Sequence, residues 1–171
     1  MVATMEFVAD TMLGNLARWL RMLGHDTLYS RSFEDWRLLR LAEEEGRVLL
    51  TRDESLFRRA RSKGLRVALI TSDDIAEMLA YVAAKTGLNL VFDPSRTRCP
   101  KCNTPLTRMS KAEALSLLRD ELTAKYEEFW RCGKCGRLYW QGNHWRTINE
   151  TLERANKLIH RYSISSRSEN E

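Results

Sequence analysis

Four cysteines set in two pairs, Cys99-Pro100-Lys101-Cys102 and Cys132-Gly133-Lys134-Cys135, constrain this chain more than any other feature. Two residues between paired cysteines let both thiolates of a tight turn converge on one ion, and four soft ligands in a tetrahedron are what zinc selects. A redox dithiol and a pair of disulfides are the competing readings. A start that lacks a basic region followed by an apolar stretch, with no cysteine left over, favours metal. Four thiolates close the shell and leave no position for water, so one structural zinc is expected, supporting the fold rather than activating a nucleophile. The 29 residues between the pairs are more than a compact ribbon loop needs.

Before the cysteines, short apolar runs alternate with amphipathic stretches. Glu6–Ala9, His25–Tyr29, Val48–Leu50 and Val67–Ile70 read as strands, with Leu88–Phe92 as a fifth. Met12–Leu23, Glu34–Glu45, Asp53–Ser62 and Asp74–Lys85 read as helices, the last with Ser72 or Asp73 as its N-cap. Strands alternating with helices of this length predict a parallel sheet covered on both faces. With 43% apolar and 30% charged residues among 171, the chain can bury a real core. The expected division is an α/β domain over 1–93, a cysteine module with a C-terminal helix over 94–162, and a disordered tail over 163–171. Lys111–Tyr126 reads as a helix inside the module. His144–His160 reads as the last helix, with Trp145, Ile148, Leu152, Ala155 and Ile159 on one side. No apolar run approaches the roughly 20 residues that span a bilayer, so a cytoplasmic protein without membrane contact is expected.

In an open parallel sheet, ligands bind beyond the carboxyl ends of the strands, where the connections diverge. Asp10 follows the first expected strand, Asp53 the third, and Asp73 and Asp74 the fourth. Clustered carboxylates repel unless a cation sits between them, and oxygen ligands suit Mg²⁺ or Mn²⁺. Such an ion, shared with a substrate phosphate, supports phosphodiester hydrolysis. Asp10, Asp53 and Asp73 also stand where helix caps belong, and Asp35 could complement the first turn of the second helix.

The formal charge of +5 is carried unevenly. Arg52, Arg58, Arg59, Arg61, Lys63 and Arg66 fall in one stretch, and Arg96, Arg98, Lys101, Arg108 and Lys111 surround the first cysteine pair. Guanidinium clusters favour a polyanionic partner, the alternative being a solvated helix face. Arg18 and Arg21, on the first helix, could reach the same crevice as the acids. Trp19, Trp36 and Tyr29 could stack on bases or belong to the core.

These segments together resemble the Mut-seven C-terminal RNase domain family, PIN-like nucleases carrying a zinc ribbon. The resemblance rests on Phe7-Val8-Ala9-Asp10-Thr11-Met12-Leu13-Gly14, Leu16-Ala17-Arg18-Trp19-Leu20-Arg21, Arg47-Val48-Leu49-Leu50-Thr51-Arg52-Asp53 and both cysteine turns. Cys135–Trp140 and Gly142-Asn143-His144-Trp145 complete it. It implies a PIN-like three-layer α/β domain with a mostly parallel sheet, fused to a zinc ribbon. It also implies a metal-dependent ribonuclease in which Asp10 and Asp53 ligate Mg²⁺ or Mn²⁺, with Asp35 where similar sequences place an acid; the fourth acid of a PIN-like site has no clear counterpart, and Asp73 or Asp74 is expected in its place. Arg18, Arg21, Arg52, Arg58 and Arg59 are then expected on the RNA backbone, and His144 either on phosphate or packed beside the ribbon. A non-catalytic RNA-binding module is the alternative function. A receiver-type domain using Asp53 and Thr71 is a third reading, short of an acidic neighbour for Asp10 and of a lysine after the fifth strand. The sequence leaves a homo-oligomer open.

Overall fold

The computed structural model describes residues 4–165. The elements are β1 (Glu6–Ala9), α1 (Gly14–Met22), β2 (Asp26–Tyr29), α2 (Asp35–Glu45), β3 (Val48–Thr51), α3 (Glu54–Ser62), β4 (Val67–Leu69), α4 (Ile75–Thr86), β5 (Leu106–Met109), α5 (Lys111–Leu117), α6 (Asp120–Lys125), β6 (Phe129–Cys132), β7 (Leu138–Trp140) and α7 (His144–Ser165). The first four strands form a parallel sheet in the order β2-β1-β3-β4, and the last three strands an antiparallel sheet in the order β5-β6-β7.

The two-residue period of the strands sorts the layers. Phe7 and Ala9 of β1, Val48 and Leu50 of β3, and Ala68 of β4 join Leu16 and Leu20 of α1 and Leu79 and Val82 of α4 in one core. Val8, Leu49 and Val67 point the other way, onto Leu38, Leu39 and Ala42 of α2 and Leu56 and Ala60 of α3. The three-layer α/β reading therefore holds. Among the described residues no helix is long and apolar enough to cross a membrane.

α7 carries its expected apolar side, but chain order is a poor guide to its place. Ile148, Leu152 and Ala155 enter the core of α1 and α4, and Tyr162 packs edge-on against Tyr81 at 5.4 Å. By packing this helix is a further layer on the α/β half. Residues 163–165, expected in the tail, continue α7. Residues 166–171 lie outside the described residues.

Three element expectations need correction. Leu88–Phe92 pairs with no strand. Its alternation, with Leu88 and Leu90 buried, comes from packing on the α1/α4 core, and Asn156 of α7 donates to the Leu90 carbonyl at 3.2 Å. The single helix over Lys111–Tyr126 is two. At 1.5 Å per residue a straight helix of that length would run about 24 Å. The break at Leu118 instead folds Leu118 and Tyr126 back onto Met109, Ala114 and Phe129. The N-cap of α4 is Asp74, which accepts from the Glu77 amide at 3.0 Å, while Ser72 binds the Asp74 amide and Glu77.

The cysteine module is anchored to the outer edge of the first sheet. Asn103, the one non-glycine described residue with positive φ (69°), accepts from the Thr27 amide of β2 at 3.1 Å and donates to Asp26 at 2.9 Å. Arg21 is 5% exposed and gives Nε to the Thr27 carbonyl and Nη1 to the carbonyls of Pro100 and Lys101, at 2.9, 3.0 and 3.2 Å. Burial opposes the charge of Asp26, yet hydrogen bonds from Asn103 and Arg47 outweigh it and hold the carboxyl below its usual pKa. Gly24 is needed here. Its φ is 89°, and a Cβ would stand 2.9 Å from the Arg96 carbonyl oxygen. The side chain of Asn103 thus closes an edge strand that would otherwise offer unpaired backbone groups.

Candidate active site and zinc centre

α1 leaves β1 on one face of the sheet and α3 leaves β3 on the other, so the connections diverge between two paired strands. A crevice at the carboxyl ends of β1 and β3 is where this architecture binds ligands. Asp10 stands in it, 6% exposed. Its Oδ1 accepts from the Met12 amide at 2.9 Å, and its Oδ2 from the Thr51 hydroxyl at 2.6 Å and the Arg52 amide at 2.7 Å. Thr51 Oγ1 in turn accepts from the Asp53 amide at 3.0 Å. Thr51 therefore joins the two acids that the sequence places after β1 and β3. Asp53 caps α3 through Oδ1, which accepts from Leu56 at 2.9 Å, and its other oxygen makes no hydrogen bond among the described residues.

The approach to Asp10 is fixed from the side. Tyr29, at the end of β2, donates to the Thr11 carbonyl at 3.1 Å. A Cβ at Gly14 would meet that phenol oxygen at 2.7 Å, so only glycine lets the loop and ring come this close. Met12 and Trp36 stand out at 71% and 57% exposure, beside Asp10 and Asp35 in the chain. Met12 reads from periodicity as part of the buried face of α1, whereas the helix starts two residues later and leaves it in solvent.

The other expected acids are engaged in ion pairs. Asp35 is bound to Arg59 at 2.9 Å, Asp73 is 94% exposed and bound to Arg52 at 2.7 Å, and Asp74 is bound to Arg154. Arg52 also donates to the Ser72 carbonyl at 2.7 Å. Arg58 pairs with Glu54 at the surface, and Arg18 is exposed. Arg21 is the clear departure, because its guanidinium is consumed by the three carbonyls of the module contact. Sequence reasoning also missed Thr51, although its place between Leu50 and Asp53 was the available signal.

The four cysteines converge. Their sulfurs lie within 4.8 Å of one another, with Cys99 and Cys135 at 3.6 Å and Cys102 and Cys132 at 3.3 Å. A disulfide needs about 2.05 Å, whereas a tetrahedral zinc with bonds of about 2.3 Å sets its sulfurs about 3.8 Å apart. The donor set fits zinc. Burial pushes the Cys132 thiol up to about 11. At Cys102 burial is overcome, chiefly by the Thr104 hydrogen bonds, and the pKa falls to about 6. Burial, then Cys99, raises Tyr139, whose hydroxyl stays protonated and donates to Cys99 Sγ at 3.1 Å. Among the described residues no set of three or more acidic or histidine side chains gathers as these thiols do.

His144 is exposed at the start of α7 and lines a cavity of about 220 Å³ beside the ribbon. His25 is 1% exposed and committed elsewhere. Its Nδ1 accepts from the Met5 amide at 3.1 Å, and burial, followed by Arg96 and Arg98, lowers its pKa to about 4.

The receiver-type reading loses its footing, since residues 88–92 supply no fifth strand. No curated protein and no solved structure matches the chain. The description Mut7-C RNAse domain matches residues 5–152, from the strand that delivers Asp10 through both cysteine turns and into α7. With most of its length covered by that match, the chain belongs to the Mut7-C RNAse domain family.

Proposed function

We propose that the protein is a metal-dependent endoribonuclease that hydrolyses RNA phosphodiesters in the crevice between β1 and β3. The observation that carries this reading is the linkage of Asp10 to Asp53 through Thr51 at the point where the connections diverge, in a chain of an RNase family. Mg²⁺ or Mn²⁺ is commonly held by only one or two carboxylates together with substrate phosphates. Asp10 and Asp53 would be the ligands, and the ion would supply positive charge to the phosphoryl group as it reacts.

The chain's own groups prepare that site. Thr51 and the amides of Met12 and Arg52 fix the Asp10 carboxylate in one orientation, so little reorganisation is left for the moment of reaction. Asp35 and Asp73 are held to Arg59 and Arg52 by ion pairs in which Asp35 is half-exposed and Asp73 almost fully exposed. Surface pairs are worth about 0–1 kcal/mol, so a cation or a phosphate can exchange with them, freeing acids for metal and arginines for RNA. Arg18 and Arg58 add cations at the surface, and zinc holds the basic module. The place for such a protein is the cytoplasm, where thiols stay reduced.

The same pairings favour a second reading, a non-catalytic RNA-binding protein, because Asp35, Asp73 and Asp74 are each held by an arginine. One comparison separates the two. Zinc-loaded protein, freed of other metals by dialysis rather than by a chelator that would strip the cysteines, is incubated with single-stranded RNA before and after addition of Mg²⁺ or Mn²⁺. Cleavage that begins on addition supports the nuclease. Salt-sensitive binding without cleavage under either ion supports the binder.

A further inference from the structure

The Gly142-Asn143-His144-Trp145 segment lies outside the crevice, yet it forms one wall of the cavity between the ribbon, the start of α7 and the end of α1. We propose that this cavity receives one unstacked nucleobase of single-stranded RNA. The proposal rests on the ribonuclease reading for its substrate and adds a second, separate contact to it.

The walls are flat and aromatic. Trp145 holds Phe92 edge-on at 5.0 Å and lies 5.7 Å from Trp130 at an angle of 34°, while Trp140 and His144 line the same space. At about 220 Å³ the space falls below the roughly 300–1,000 Å³ of pockets for drug-sized ligands, which leaves room for a small planar ring. Its lining is almost wholly apolar. None of the indole N–H groups of Trp130, Trp140 and Trp145 has a hydrogen-bond partner among the described residues, and none is sealed from solvent. Buried tryptophans normally find an acceptor. An apolar, aromatic lining of this kind suits the face of a nucleobase, with the polar edge of the ring left to solvent.

Charge selects the carrier of that ring. Residues 96–146 hold eleven Lys and Arg against five Asp and Glu, so this segment bears the positive excess of the whole chain. Lys101 and Arg137, beside the lining residues Pro100 and Tyr139, make no ion pair among the described residues. A base attached to a phosphate backbone meets both demands, stacking inside and anionic outside. The cavity adjoins Met22 at the far end of α1 from Asp10. The nine residues of α1 span about 14 Å at 1.5 Å per residue. A base held there would fix how far along the strand the crevice cuts.

The test is a binding comparison made without Mg²⁺ or Mn²⁺. Tryptophan quenching is titrated with a short single-stranded RNA and with the same strand made abasic at its interior positions. Wild type is expected to prefer the base-bearing strand by about tenfold, in keeping with the cost of losing one stacked base. Trp140→Leu and His144→Ala should each bring that ratio towards one, with zinc content and affinity for the abasic strand unchanged. Trp140 is partly buried, so the exposed His144→Ala keeps the test valid if Trp140→Leu fails to fold. Equal binding of both strands by wild type, no RNA binding, or an undiminished ratio in His144→Ala would overturn the proposal. Loss of the base preference with metal-dependent cleavage intact removes only the pocket. A preserved preference without cleavage removes only the nuclease.

Discussion

Asp10 and Asp53 are joined by a hydroxyl that neither supplies, and this division of labour recurs wherever one residue in this protein decides something. Thr51 donates to one acid and accepts from the backbone of the other. Asn103 serves β2 from the end of a cysteine turn. His25 is the residue whose buried state has the plainest consequence in solution. The folded protein keeps it neutral down to about pH 4, whereas the unfolded chain takes up the proton near 6.5. Stability is therefore unaffected above pH 6.5 and falls as pH drops through that window, by up to about 3 kcal/mol at 1.36 kcal/mol per pKa unit. Urea unfolding at pH 7 and pH 5 should show this fall in wild type, and His25→Gln should flatten it. The cysteines and the two crevice acids were legible in the sequence because each motif is local. Arg21, read as an RNA contact, was not, because its Pro100 acceptor lies 79 positions away.

At the scale of elements, hydrophobic period located the four parallel strands and their helices, since each buries a face whose spacing is written in the chain. The same rule misread residues 88–92, where alternation reflects a segment packed on helices instead of a ladder, and periodicity carries no information about the partner. It also joined α5 to α6, because the break at Leu118 goes with the small core of Met109, Ala114 and Phe129, whose members come from β5, α5 and β6. The contact of the first cysteine turn with β2 was invisible for the same reason. It makes a sharp expectation. Removing zinc should free Asn103 and expose the Thr27 amide, so hydrogen exchange at Thr27 should accelerate more than at Val8 in the sheet interior. Asn103→Gly keeps the positive φ and deletes the side-chain acceptor. It should speed Thr27 exchange with zinc still bound and cost about 1–3 kcal/mol, the usual range for a buried donor left unpaired. Unchanged Thr27 protection in both experiments would mean that the module does not hold this edge.

On the scale of the whole molecule, the thiol cluster and the two crevice acids are kept apart. The thiolate site docks on the amino-terminal end of β2 through Asp26 and Thr27, whereas Asp10 and Asp53 stand beyond the carboxyl ends of β1 and β3. The cysteine cluster belongs to the architecture and the basic surface, and the proposed reaction belongs to the oxygen ligands. The central claim is that Asp53 ligates a catalytic cation as well as capping α3. Asparagine caps a helix about as well as aspartate, so Asp53→Asn separates the two roles more cleanly than a change at Asp10, whose oxygens each hold the crevice together. The measurement is the rate of single-stranded RNA cleavage by zinc-loaded wild type and Asp53→Asn with Mg²⁺ or Mn²⁺, alongside zinc content and unfolding stability. The expected result is a loss on the order of 100-fold or more in the variant, with zinc and stability unchanged. Cleavage by a pure Asp53→Asn preparation at the wild-type rate would contradict it.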